Sequence, residues 1–137
     1  MLAARAHQFL TFASAPNLQA AVAFGLEEGD AWLDPMRAGF ARARDRMTAA
    51  LRDLGYAVLD SAATYFMCVD LKGSGIDVDD EAFAARAVEE AGVAVVPLSA
   101  FAERNPPRHM IRLCFAKRDE TIDAGVDALA KARRLFA

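Results

Sequence analysis

Lysine, histidine and cysteine are all scarce in this chain of 137 residues. There are three lysines (Lys72, Lys117, Lys131), two histidines (His7, His109) and two cysteines (Cys68, Cys114). Each scarcity closes off some chemistry. The cysteines lie far apart in apolar, strand-like runs, with no ligand spacing and no thiol nearby in sequence. They make no zinc site or disulfide framework and read as reduced, buried thiols of a cytosolic protein. One histidine is near a terminus and the other at a strand start, so no Ser/His/Asp or Cys/His constellation can be argued. A Schiff-base lysine must be desolvated, and none of the three lysines reads as buried. A basic excess is missing too. Net charge is −3, and the nearest approach to a cluster, Arg42, Arg44 and Arg46, alternates with other residues like a solvated helix face. That argues against a nucleic-acid surface. No apolar run nears the ~20 residues that span a membrane. There is no internal repeat, and Gly73-Ser74-Gly75 is too short for a phosphate loop.

Two features imitate signals. Phe9-Leu10-Thr11-Phe12 before Ala13-Ser14-Ala15 mimics a signal peptide, but its apolar part is about half the usual ~7–15 residues and Gln8 and Thr11 break it. Asp77, Asp79, Asp80 and Glu81 cluster without calcium-loop spacing, where a helix start favours negative charge, and read as capping residues. What remains is ordinary: 55% apolar and 26% charged residues, enough for one domain with its own core.

Residues 1–15 carry no clear period. Leu18, Ala21, Val22 and Leu26 predict a helix over 17–28. Asp34 as N-cap and Pro35 at the first helical position predict the start of a longer helix. Its stripe is Met36, Phe40, Ala43, Met47, Leu51 and Leu54, and Gly55 closes it. Strands follow at 56–59 and 64–71. A helix capped by Asp79 and ended by Gly92 carries Phe83, Ala87, Val88 and Ala91. A strand at 93–96 is halted by Pro97, and residues 98–108 are irregular around Pro106-Pro107. A last strand spans 109–115, and Asp119 caps a final helix with Ile122, Val126 and Leu129. From residue 31 the order is α-β-β-α-β-β-α. This predicts an α+β fold: a small sheet of about four strands with helices packed on it. The seam lies near residues 29–34.

Arg112 sits inside the last strand. Alternation puts Ile111, Leu113 and Phe115 on one face and Met110, Arg112 and Cys114 on the other. A guanidinium among apolar neighbours needs a partner. It fits a carboxylate or phosphate, bound by two prongs. An internal Asp or Glu, or a stem reaching water from an edge strand, would serve equally.

Four segments, in order, resemble class I/II aminotransferases, fold-type-I enzymes dependent on pyridoxal phosphate. The first is His7-Gln8, Phe12, Pro16 and Gln19-Ala20-Ala21-Val22-Ala23. The second is Ala63-Thr64-Tyr65-Phe66, similar to the family's Gly-Thr-Tyr-Phe. The third is Gly92-Val93 through Val96-Pro97, Ser99 and Phe101, similar to Gly-Val-x-x-x-Pro-Gly-Ser-x-Phe. The fourth is Ile111-Arg112-Leu113-Cys114-Phe115-Ala116-Lys117. The first segment most resembles the branch of methionine, glutamine and kynurenine aminotransferases. Ala63 and Leu98 stand where the family has glycine.

The resemblance implies a small C-terminal domain over residues 31–137, preceded by the end of the large domain and a connecting helix over 1–30. It implies that Arg112 binds the substrate's α-carboxylate, that Tyr65 lines the substrate pocket, and that Phe12 reaches the partner subunit's site in a homodimer. A one-residue slip at Tyr65-Phe66 would exchange their faces. The implied activity moves an amino group between an amino acid and a 2-keto acid in the cytoplasm. The Schiff-base lysine and other cofactor contacts would lie upstream, so the chain alone would be inactive. Two other readings stay open: a carbon–sulfur β-lyase of the same fold, and a stand-alone amino-acid-binding or dimerisation module.

Overall fold

The computed structural model describes residues 2–136, which form two compact units that succeed one another between Ala38 and Gly39. The first unit contains α1 (Leu2–Thr11), α2 (Pro16–Glu27) and the start of α3 (Asp30–Asp53). Helix α1 falls where no apolar period is legible. Intrinsic propensity accounts for it: Ala3, Ala4, Ala6, Gln8 and Leu10 favour helix whichever way they face. In α2, Pro16 takes the first turn, where its missing N–H costs nothing. Helix α3 begins four residues before the expected Asp34 cap. Trp32 and Leu33 donate their N–H groups to the Gly29 carbonyl, and Asp30 occupies the first turn. Gly29 is required here, because a Cβ would collide with the Gly25 carbonyl oxygen. Pro35 therefore lies inside the helix, unable to donate to the carbonyl four residues back. Asp34 pairs with Arg37 instead of capping.

The second unit holds the core. Ala43, Met47 and Leu51 of α3 are buried, and Phe40 and Leu54 pack beside them, as their spacing requires. Gly55, at φ +82°, ends the helix in a Schellman motif. Its N–H donates to the Arg52 carbonyl and the Tyr56 N–H donates to the Leu51 carbonyl. Then come β1 (Ala57–Val58), β2 (Phe66–Asp70), α4 (Asp80–Arg86), a π-helical turn (Ala87–Ala91), β3 (Val96–Pro97), a 3₁₀ turn (Leu98–Phe101), β4 (Met110–Cys114) and α5 (Asp119–Arg134). The order matches the expected α-β-β-α-β-β-α, and the sheet is antiparallel in the order β1-β2-β4-β3.

Some boundaries differ from expectation. Strand β3 is shorter than 93–96 and includes Pro97, which pairs opposite Ile111; proline is tolerated there because β3 lies at the sheet edge. Asp119 is the first helical residue of α5, not its cap; Arg118 precedes it without a side-chain hydrogen bond. Val88, expected in the stripe, is 53% exposed; it lies well round the helix from Phe83. The cysteines are free and half-buried rather than buried.

Burial follows the strand alternation. Met67, Val69, Ile111 and Leu113 are at most 5% exposed and join Leu51, Phe83, Phe115, Ile122 and Leu129 in one cluster. Each large side chain fully buried there contributes roughly 1.5–3 kcal/mol. Tyr56 is also buried, donating its hydroxyl to the Leu129 carbonyl at 2.9 Å. Burial pushes its phenol up to about 12, against a smaller opposing effect of Arg133.

Candidate substrate-carboxylate site

Strand β4 is interior to the sheet, so Arg112 has a strand on each side. Its Cα partners are Cys68 on β2 and Val96 on β3. The face it shares with Phe66, Cys68, Met110 and Cys114 is half-buried throughout, and Val96 is exposed. Phe66, opposite Cys114, is Arg112's diagonal neighbour across the strand pair, within reach of an aromatic ring. The Arg112 Cζ lies 4.0 Å from the centroid of the Phe66 ring and 4.7 Å from that of Phe101. Two aromatic rings thus hold one guanidinium.

Neither expected internal partner is there. Among the described residues, Arg112 enters no ion pair, and its Nε is buried without a hydrogen-bond partner. An interior strand also rules out the edge-strand reading. An unpartnered buried donor costs about 1–3 kcal/mol. Contacts with ring faces offset part of that, at about 0.5–2 kcal/mol each, without using N–H donors. The result is a positioned cation whose donor edge is unspent, which is what bidentate capture of a carboxylate requires.

The turn before β2 aims Phe66. Thr64 has φ +66°, a left-handed conformation unusual for a β-branched residue. The Phe66 N–H donates to the Thr64 Oγ1 at 3.1 Å, and the Ser61 hydroxyl donates to the Phe66 carbonyl at 2.9 Å. The Phe115 N–H donates to the Tyr65 carbonyl, tying this turn to the end of β4. Backbone strain held in place by surrounding bonds is typical of ligand clamps.

Of the expected site residues, Arg112 lies at the centre of this cluster. Tyr65 is 46% exposed and its ring packs at a tilt against Phe66, with centroids 4.3 Å apart, rather than on Arg112. Phe12 belongs to the first unit, is 89% exposed and has φ +38°. Phe66 and Phe101 both stand inside the motifs, but nothing local in the sequence marks them as neighbours of Arg112. The missing signal was the register: only Cys68 opposite Arg112 brings Phe66 within reach. Lys72, Lys117 and Lys131 are all exposed. Of the acidic cluster, Asp79 caps α4 by accepting from the Glu81 N–H. The Arg108 guanidinium, then that backbone bond, holds the Asp79 carboxyl below its ordinary range. No group of His, Cys, Asp and Glu among the described residues could hold a metal ion. No helix among them is long and apolar enough to cross a membrane.

This chain is similar to known proteins over most of its length. It is 37% identical to the probable N-succinyldiaminopimelate aminotransferase of Mycobacterium tuberculosis, covering 91% of this chain and 34% of that protein. It is 33% identical to the methionine aminotransferase of Escherichia coli, covering 91% of this chain and 32% of that one. The solved structures named for these two activities superpose with TM-scores of 0.79 and 0.76, covering 91% of this chain and 33% and 32% of theirs. The chain thus spans about a third of the length of these relatives. Residues 2–129 match the family Aminotransferase class I and II, and the chain belongs to that family.

Proposed function

We propose that this chain is the C-terminal part of an aminotransferase that moves an amino group between an amino acid and a 2-keto acid, with Arg112 holding the substrate carboxylate. The observation that carries the proposal is the guanidinium fixed between Phe66 and Phe101 with its buried Nε unpartnered. A two-pronged grip on the carboxylate fixes the rotation of the substrate about its Cα, and orientation of that kind is a large share of catalysis. The two relatives are named for amino acids of different size and charge. An arginine that reads only the carboxylate serves either.

Class I and II aminotransferases depend on pyridoxal phosphate. The lysines described here do not suit it: all three are exposed, whereas a Schiff-base lysine works desolvated. The cofactor lysine then belongs to a part of the enzyme outside residues 1–137. In the same reading, residues 1–30 are the end of the large domain and 31–137 the small domain. Phe12, exposed on the first unit, reaches the site of the partner subunit in a homodimer. Tyr65, partly exposed beside Phe66, lines the pocket. Two free cysteines suit a reducing, cytoplasmic setting.

Replacing Arg112 by Ala in the intact enzyme tests the assignment. The expected result is a KM for amino acids raised about thirtyfold or more, the usual loss when a charged hydrogen-bonding partner is removed. Cofactor absorbance should be retained, and the 137-residue chain assayed alone with pyridoxal phosphate should show no turnover. An unchanged KM contradicts the role of Arg112.

A further inference from the structure

Phe101 reaches Arg112 from the link between β3 and β4, residues 98–109, and both ends of that link are held by the start of α4. At the near end, the Ser99 N–H donates to Asp80 Oδ2 at 2.8 Å. At the far end, the Asp80 N–H donates to the Arg108 carbonyl at 2.8 Å. The flanking residues reinforce the far end: the Arg108 guanidinium lies 3.1 Å from Asp79 and 3.5 Å from Glu81. Ser99 and Phe101 share one 3₁₀ turn, closed by the Ala102 N–H on the Ser99 carbonyl. Fixing Ser99 therefore fixes the ring of Phe101 over the guanidinium.

Asp80 is an expensive way to do this. It is fully buried, and its Oδ1 has no hydrogen-bond partner among the described residues, nor has the Ser99 hydroxyl. A buried carboxylate using one oxygen for a side-chain contact costs stability that a small apolar residue would not. The position it enforces is the compensating gain.

We propose that Asp80 is a positioning residue for Arg112: it clasps the 98–109 link at both ends, so that Phe101 and the lead-in to β4 hold the guanidinium where a carboxylate binds. The proposal deepens the reading of Arg112 given above and rests on it. Asp80 is fully buried and acts through the ring of Phe101.

The geometry can be read on the 137-residue chain by NMR, from the Arg112 Nε–Hε resonance, which two stacked rings displace. F101L should move that resonance toward the position of a free arginine. D80A should move it likewise, whereas D80N, which keeps a carbonyl acceptor for the Ser99 N–H, should restore it. In the intact enzyme, D80A should raise the KM for amino acids roughly two- to fivefold, the equivalent of one lost cation–π contact to a ring as exposed as Phe101. The effect on kcat should stay within about twofold. D80A combined with F101L should be no worse than the worse single variant, because both act through one contact.

An Arg112 resonance displaced by F101L but untouched by D80A overturns the proposal. Should D80A fail to fold, the unaltered chain decides through the Ser99 amide. Slow exchange with solvent supports the clasp; fast exchange overturns it. An unchanged KM in R112A would instead sink the carboxylate reading, and the NMR result would still stand or fall on its own.

Discussion

The two faces of the sheet are made from the same strands, yet they are built to different ends. On one, Met67, Val69, Ile111 and Leu113 are sealed into a core shared with α3, α4 and α5. On the other, Phe66, Cys68, Met110, Arg112 and Cys114 stay half-buried. The strand residues of the sealed face are apolar and find apolar neighbours. The other face keeps one charge with no anion and one buried donor with no acceptor. Natural folds satisfy nearly all buried polar groups; Asp80 Oδ1, Ser99 Oγ and Arg133 Nη1 are also buried without a partner among the described residues, so what sets Arg112 apart is a whole guanidinium set against two rings with no anion.

If the division is real, substitutions on the two faces should fail in different ways. Phe115→Ala, which empties a core position and removes the edge-on contact with Phe40, should cost about 3–5 kcal/mol of stability. Thermal unfolding would record it, and enzyme that remained folded should keep its KM. Arg112→Lys should do the reverse. It keeps the charge but loses the planar fork and the stacking, so the KM should rise about tenfold to a hundredfold while the melting temperature hardly moves. A large stability loss from Arg112→Lys would erase the distinction between the faces.

A smaller effect sharpens the sealed side. Tyr56→Phe removes the hydroxyl bond to Leu129 and should cost about 1 kcal/mol. It should also change the alkaline limb. The folded phenol titrates near 12, above its unfolded value of about 10, so its contribution is whole below pH 10 and is lost as the pH rises towards 12. Unfolding monitored from pH 9 to 12 should steepen across that window in the native chain, and less so in Tyr56→Phe.

Sequence alone reached the element order and the alternation in β4, because apolar spacing reports which face an element buries. It could not place Phe66. Tyr65 and Phe66 are neighbours in sequence, and which one meets Arg112 depends on a strand register fixed by long-range packing. In sequence Asp80 reads with Asp77, Asp79 and Glu81 as a capping residue, a role that fits Asp79. Its bond to Ser99 joins positions 19 apart in sequence, and no local pattern announces it. Asp34-Pro35 is a good helix opening locally, yet α3 starts at Asp30. The turn at Gly29 simply opens the helix sooner.

The most direct test of the account is a structure of the intact enzyme with an unreactive amino-acid analogue bound. Both carboxylate oxygens should lie within about 2.7–2.9 Å of Arg112 nitrogens, with the guanidinium still against Phe66 and Phe101. A carboxylate held by another residue, with Arg112 left unpaired, would contradict it.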